Sequence, residues 1–427
     1  MAKGRPAGLR LETAERGQVE FRQGCLDDLL SLDHRARQVW DYVEGLDLSA
    51  LYARVQTTVS SSGRPAIDPA ILVSLWLYAT LEGVGSARLL DRLCRSDAVY
   101  QWLLGGVTVN YHTLSDFRTG AGPMLNRLLS SSIAGLLSSG AVRVDTLAVD
   151  GMKLQAAANR GTFRRSERLA MLERAAYEVL ERMAVEVDED PVAAQRRTQA
   201  RRLSAAQERV RRLEKARQAQ AEIERQREEQ RQKQRRKEKP QDPDKEARAS
   251  TVDPEARLMK MADGSVRPAY NVQFTTAAKG AHIVGVRVTD RGSDHGLLEP
   301  ALNEIEQRYA VKPTRLLADG GYTSKSDIEK VHALGVELFS PLPKSKGDPA
   351  APKRGDDAGT IAWRRRMASD EAMAIYRRRF ATERPHAHMR NHGLRQLLVR
   401  GREKVEAVVL WHVHAFNFLQ FKRPRSA

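Results

Sequence analysis

Cysteine is nearly absent from this chain: Cys25 and Cys94 are the only two, far apart and in no Cys-x-x-Cys step. That usage provides neither a disulfide framework nor a thiolate zinc site, and it fits a reducing compartment. Aromatic residues are scarce at 6%. Long apolar runs are missing as well. The longest, 71–81, is too short to cross a bilayer and reads as a buried helix. The first six residues lack the apolar core of a secretory leader. There is no Gly-x-Ser-x-Gly elbow, no Walker loop and no dinucleotide glycine fingerprint, so nothing points to nucleophilic, P-loop or nicotinamide chemistry. Together these absences predict a soluble, cytosolic protein.

The chain does hold enough to fold. Its 427 residues and 41% hydrophobic content support two or three domains around a substantial core. Lysine and arginine number 71 against 54 aspartates and glutamates, a net charge of +17. Such basicity serves solubility or a polyanionic partner. The dominance of arginine, which grips phosphate bidentately, favours nucleic acid.

Residues 1–140 read as helical. Pro69 opens a helix through Leu72, Leu75, Trp76 and Ala79 that ends at Glu82 to Gly85. Ser86 caps a second helix, and Thr113 to Asp116 has the spacing of a capping box for a third, running through Phe117 to Leu129. Short helices and glycine turns in a basic chain suit a helix-turn-helix DNA reader, or a bundle that only packs. From Arg143 the pattern turns strand-like. Strands are expected at 146–149, 270–275, 282–288, 315–318 and 336–340, with a helix capped by Ser324. Asp150 and Asp319 then stand where strands stop, the usual edge for ligand chemistry in open sheets.

Between them, 160–250 is rich in Arg, Glu, Gln and Ala and lacks a heptad seam, which predicts one or two long exposed helices. The basic run 231–239 suits either phosphate contact or a solvated helix end, and 240–243 begins a flexible return. An apolar helix over 405–421 is expected to be core.

The chemistry gathers in 376–390. On a continuous helix Tyr376, Arg379, Glu383 and Arg390 would project within roughly 60° of one another, a carboxylate among cations. Such a stripe is either a solvated salt-bridge face or part of a site for metal and phosphate. The steps Asp150-Gly151 and Asp319-Gly320 favour the second. Three carboxylates at one sheet edge can hold two divalent ions about 3.5–4 Å apart, and oxygen ligands without thiolates favour Mg²⁺ or Mn²⁺. Asp145 falls on the opposite face of its strand from Asp150, while Asp290 and Asp294 lie in a loop without the Asp-Gly context. His386 and His388, like His412 and His414, are two apart and share no helix side, which argues against a histidine metal site.

Asp150, Asp319 and Glu383 resemble the triad of the DDE transposases of bacterial insertion sequences, in the branch with a Tyr-Arg-Glu-Lys signature. Tyr376, Arg379 and Glu383 match in type and spacing, with Arg390 in place of lysine and Pro385 set to disturb the helix just past Glu383. Residues 63–69, Ser115 to Arg118, Val149 to Leu154, Asp253 to Ala256, Tyr270 to Gln273 and Arg400-Gly401 resemble further family segments in the same order.

The resemblance implies an α/β fold: a ribonuclease H-like mixed-sheet catalytic domain with a long helical insertion, preceded by an all-α N-terminal domain. The implied divisions are a DNA-binding domain over 1–140, a catalytic domain over 141–160 and 251–427, and an insertion over 161–250. Neighbouring first and fourth strands would bring Asp150 and Asp319 together. Tyr376, Arg379, Arg390, Arg118 and Lys153 would contact DNA, and Asp150, Asp319 and Glu383 would bind two Mg²⁺ or Mn²⁺ ions. The partner would be double-stranded DNA, element ends and target, held by a homodimer in the bacterial cytoplasm at the nucleoid. A domesticated DNA-binding regulator or a nuclease derived from a transposase shares these residues.

Overall fold

The computed structural model describes residues 24–55, 65–185, 193–233, 246–343, 348 and 350–421. The first six residues, Gly63 and Arg64, most of the basic run 231–239 and the return at 240–243 lie outside the described residues.

Among the described residues, seven α-helices come first: α1 (Arg35–Glu44), α2 (Ser49–Tyr52), α3 (Pro69–Leu81), α4 (Ala87–Ser96), α5 (Ala98–Leu104), α6 (Tyr111–Gly120) and α7 (Gly122–Ser138). The start of α3 follows from chemistry. Pro69 at its first turn needs no donor there, and Asp68 Oδ1 accepts from Ala70 N at 2.8 Å. Its residues are apolar on every side, so the helix is buried all round. Ser86 caps α4, accepting from Leu89 N at 3.4 Å.

The expected cap at Thr113 is corrected: Asn110 accepts from Thr113 N at 3.0 Å, and the helix starts at Tyr111. The expected continuous helix through Leu129 is also two. Pro123 in the first turn of α7 cannot donate to a preceding turn, so the chain breaks at Ala121.

The sheet is mixed. Its strands are β1 (Arg143–Gln155), β4 (Arg257–Lys260), β5 (Val266–Lys279), β6 (Ile283–Thr289), β7 (Arg315–Leu317) and β8 (Glu337–Phe339), while β2 (Phe163–Arg164) and β3 (Ala249–Ser250) form a separate pair. Spatially the order is β4-β5-β1-β7-β8, with β6 also on β5. The long central β1 runs antiparallel to β5, with Gly151 opposite Gln273, and parallel to β7, with Ala148 opposite Leu317. All of 268–276 is buried, so the apolar face of β5 and its polar face, Asn271, Gln273 and Thr275, are both covered.

The β2/β3 pair forms the neck of the insertion, α8 (Ser166–Val185) and α9 (Ala193–Lys233). These two helices form small clusters away from the main core, Leu169 and Ala216 with Ala249 of β3, and Ala176 with Val210 and Leu213. The remaining helices are α10 (Leu298–Tyr309), α11 (Lys325–Ala333), α12 (Ala358–Met367), α13 (Asp370–Arg377), α14 (Glu383–Asn391) and α15 (Arg402–Phe421).

The leading helices do not close a core of their own. One continuous apolar cluster runs from Ala36 and Trp76 through Leu147 and Phe274 to Trp411 and Phe418. Its pivot is α15, which packs on α3, α6, α7 and β6. Trp411 Nε1 donates to Arg118 O at 3.1 Å, and the His414 ring bonds Leu125 O at 2.8 Å. Asn417 takes both polar groups of Ile283, accepting from its N at 2.9 Å and donating to its O at 2.8 Å. The edge strand β6 is thereby satisfied from a side chain.

Candidate active site

Asp150 does not end its strand, as the sequence pattern led one to expect; β1 continues through it to Gln155 because β5 pairs along the whole stretch. Side chains alternate along a strand, so Asp150 and the missing side chain of Gly151 face opposite ways. On the Asp150 side lies α14. Asp150 Oδ2 accepts from Arg379 Nη1 at 3.1 Å and from Thr382 Oγ1 at 3.3 Å, and His386 Nδ1 stands 3.8 Å away. Burial opposes the Arg379 charge, but Asp150, Tyr376 and Asp319 outweigh it and raise the guanidinium. The His386 imidazole is lowered, chiefly by burial, with Asp150 and Glu383 pulling the other way.

Asp319 lies two positions past Leu317, the end of β7, where Leu317 stands opposite Ala148, itself two positions before Asp150. It caps a 3-10 turn, Gly320–Tyr322, and its Oδ1 accepts from Gly321 N at 2.7 Å.

The stretch 376–390 is not one helix. A 3-10 segment, Arg378–Thr382, separates α13 from α14, so the expected single stripe is interrupted between Tyr376 and Glu383. Pro385 explains where the chain restarts. It occupies the first turn of α14, where a missing N–H costs nothing, and the break falls before Glu383 rather than just past it. Tyr376 lies beneath Arg379, whose guanidinium carbon is 5.9 Å from the ring centre. Glu383 is exposed at the start of α14, next to Thr382, and Arg390 is exposed near its end.

Two of the expected DNA contacts have other duties. Arg118 is only 7% exposed; its Nη1 donates to Gly85 O and its guanidinium stacks 4.8 Å over Trp76. Burial pushes it down to about 10. Arg118 is therefore a core residue, and its assignment to DNA is corrected. Lys153 Nζ donates to Lys260 O at 3.0 Å, tying β1 to the end of β4.

The segments around Asp253, Tyr270 and Arg400-Gly401 meet in a structural clasp. Asp253 Oδ1 accepts from Tyr270 OH at 2.7 Å and Gly401 N at 3.2 Å, while Glu255 accepts from Arg402 N at 3.0 Å. Two carboxylates thus hold the N-terminus of α15, where the helix dipole favours negative charge. Gly401, at φ +85°, takes a turn that other residues adopt only with strain.

Sequence reasoning passed over Thr382, His386 and Asp294. His386 is buried beside Phe274, ring centres 5.4 Å apart, and the offset of two from His388 gave no sign of it. Asp294 looked like a plain loop residue. It accepts at Oδ1 from Asn271 Nδ2 at 2.7 Å and Gln273 Nε2 at 3.0 Å. The available signal was the alternation of β5, which hides two amides that need a partner.

Carboxylates and cations therefore meet at the end of β7 and the middle of β1. Among the described residues, no three carboxylate, imidazole or thiol side chains stand together as a metal-holding group. No helix of the described residues is long and apolar enough to cross a membrane.

Comparison with known families gives two matches. Residues 24–120 match the model described as Transposase domain (DUF772), and residues 246–418 match Transposase DDE domain. Asp319 and Glu383 lie within the second span; Asp150 precedes it, across the insertion. No curated protein and no solved structure matches the chain. The leading helices are thus similar to one transposase domain, and the part of the chain that bears Asp319 and Glu383 is similar to the DDE domain of transposases.

Proposed function

We propose that the chain binds the terminal repeats of its own mobile element, cuts the DNA at the element ends and joins the freed 3′-hydroxyls to target DNA. The observation that supports this reading is that β7, which leads into Asp319, runs beside β1 and parallel to it, while Thr382, the neighbour of Glu383, is bonded to Asp150 on β1. The sheet order, with the Asp319 strand beside the first and parallel to it, supports a ribonuclease H-like catalytic domain.

By donor chemistry the carboxylates Asp150, Asp319 and Glu383 suit a hard divalent ion such as Mg²⁺ or Mn²⁺, which would have to draw the three together, and the Arg379 guanidinium against Asp150 marks a spot that already favours positive charge. When bound, such ions would polarise the scissile phosphate and lower the pKa of the attacking hydroxyl. The protein's own groups then have clear duties. Asp150 would supply ligand oxygens from β1 and Asp319 from the turn that follows β7, and Glu383 would join them from α14. Arg379 would pass from Asp150 to a phosphate oxygen, with Tyr376 under its guanidinium.

The exposed cations Arg377, Arg378, Arg384 and Arg390 between α13 and the end of α14, and Arg201, Arg211 and Lys215 on α9, suit a DNA backbone. Two element ends must be held at once, which calls for a homodimer on DNA.

The test is strand cleavage on duplexes carrying both flanks of the gene, with Mg²⁺, comparing wild type with Asp319→Asn. The reading expects breaks with 3′-hydroxyl ends at the edges of inverted repeats, absent in the variant, with flank binding retained. Binding without any cleavage by the wild type would instead favour a DNA-binding regulator.

A further inference from the structure

Asp294 is joined to the turn that carries Asp319 by a chain of hydrogen bonds crossing three strands. Tyr322, fully buried in that turn, donates its hydroxyl to Gln273 Oε1 on β5. Gln273 Nε2 donates onward to Asn271 Oδ1 at 2.9 Å and Asp294 Oδ1 at 3.0 Å, and Asn271 Nδ2 donates to the same Asp294 oxygen at 2.7 Å and to Arg291 O at 3.2 Å. Both amide nitrogens donate to Asp294 Oδ1. A carboxylate can only accept, so it fixes both amides with nitrogen inward and leaves the Gln273 carbonyl for Tyr322.

This strap starts after β7 and ends beyond β5, and so must pass over β1. It does so at Gly151. A Cβ there would collide with Gln273 Nε2 and come within 3.1 Å of Asn271 Oδ1 and Asp294 Oδ1. The second glycine after Asp319, Gly321, is crowded by Asp319 itself. A Cβ on Gly321 would stand 2.9 Å from Asp319 Oδ1 and 4.0 Å from Asp294 Oδ2. Gly151 thus makes room for Asp294 and its two amides, on the face of β1 opposite the Asp150 carboxylate.

We propose that Asp294 is a positioning residue: it terminates the Tyr322–Gln273–Asn271 strap that sets the turn bearing Asp319 against the strand bearing Asp150. It touches neither DNA nor metal and acts through backbone placement. This rests on the proposed cleavage reaction. A misplacement near 1 Å in such a site costs on the order of 100-fold in rate.

The experiment uses the full chain, duplexes carrying both gene flanks, Mg²⁺, and three variants. Asp294→Asn keeps an accepting oxygen and loses the charge; Asp294→Ala removes the acceptor; Tyr322→Phe removes the first donor. Cleavage rate, flank binding and amide hydrogen exchange over 319–322 are measured together. Asp294→Ala and Tyr322→Phe should each cut about 100-fold more slowly, exchange faster over 319–322 and bind flanks as before, while Asp294→Asn should recover most of the rate. Wild-type cleavage by Asp294→Ala overturns the proposal. So does Asp294→Asn falling as far as Asp294→Ala, which would make the charge itself the requirement. If the wild type cuts no flank at all, the cleavage reading fails on its own. Hydrogen exchange still decides the strap in that case, since unchanged exchange over 319–322 in Asp294→Ala would remove it.

Discussion

Arg379 holds Asp150: its Nη1 donates to Oδ2 at 3.1 Å, and both side chains are about four-fifths buried, at 21% and 18% exposure. A guanidinium on a proposed metal ligand competes with the metal. Arg379→Ala should therefore bind Mn²⁺ more tightly than wild type, by about ten-fold for a charge-assisted bond of roughly 1.5 kcal/mol, while cleaving DNA more slowly. Titration calorimetry with Mn²⁺ alone checks the first half. Unchanged Mn²⁺ affinity would mean that the pair opens without cost or that Asp150 holds no metal.

Arg118 serves the core, and its loss should register as stability. Arg118→Ala leaves Gly85 O without its donor and Trp76 without its stacked neighbour. The expected loss is about 2–4 kcal/mol by denaturant unfolding, with flank affinity of the folded protein unchanged. A variant of normal stability that binds DNA poorly would return Arg118 to the DNA surface.

His412 predicts an acid limb. It is buried at 5% exposure, its Nδ1 has no partner, and the imidazole is pushed from 6.5 down to about 3, by burial first and then by Arg118, His388 and His392. Folding thus depresses its pKa, so the unfolded chain takes up the proton first. Stability is full above about pH 6.5 and falls as the pH drops toward 3, by about 1.4 kcal/mol per pH unit for this one group. His412→Phe should flatten the decline between about pH 6.5 and pH 4 in thermal melts. An equally steep decline in the variant would assign the limb to other groups.

Asn417 predicts a weak edge when removed. Asn417→Leu keeps the volume but strands the N–H and C=O of Ile283, at about 2–4 kcal/mol for the pair. Hydrogen exchange at Ile283 should quicken more than elsewhere in the sheet; a uniform change would point to general loosening.

If DNA lies along the insertion, replacing Arg201, Arg211 and Lys215 on α9 with Gln should flatten the log–log salt dependence of binding. Each phosphate that is no longer neutralised takes about 0.9 off the slope. A slope that stays put would leave the insertion to some other partner.

Much of this was legible in the residues. Local signals worked where one side chain decides the outcome: Asp68-Pro69 and Ser86 start helices where expected, and the Asp319 strand stops on time. Prediction failed where neighbours decide. The length of β1 comes from pairing with β5 far along the chain, and the break in 376–390 from Pro385 taking a first-turn position. Arg118 illustrates the same limit, since nothing in an arginine's identity shows that it will lie on a tryptophan inside the core. Asp294 was missed because loop context carries no trace of two amides on another strand.

The central place of α15 has a consequence for how the chain is made. It follows every other described element in sequence, yet α3, α6, α7 and β6 all close upon it. During synthesis those elements emerge long before their common partner does, and their contacts with it are among the most distant in sequence. A ribosome that stalls before residue 402 leaves an apolar groove with nothing to fill it. Translation to the end of α15 is thus built into the fold as a condition for closing the core, and products that stop short of it are expected to expose that groove and aggregate.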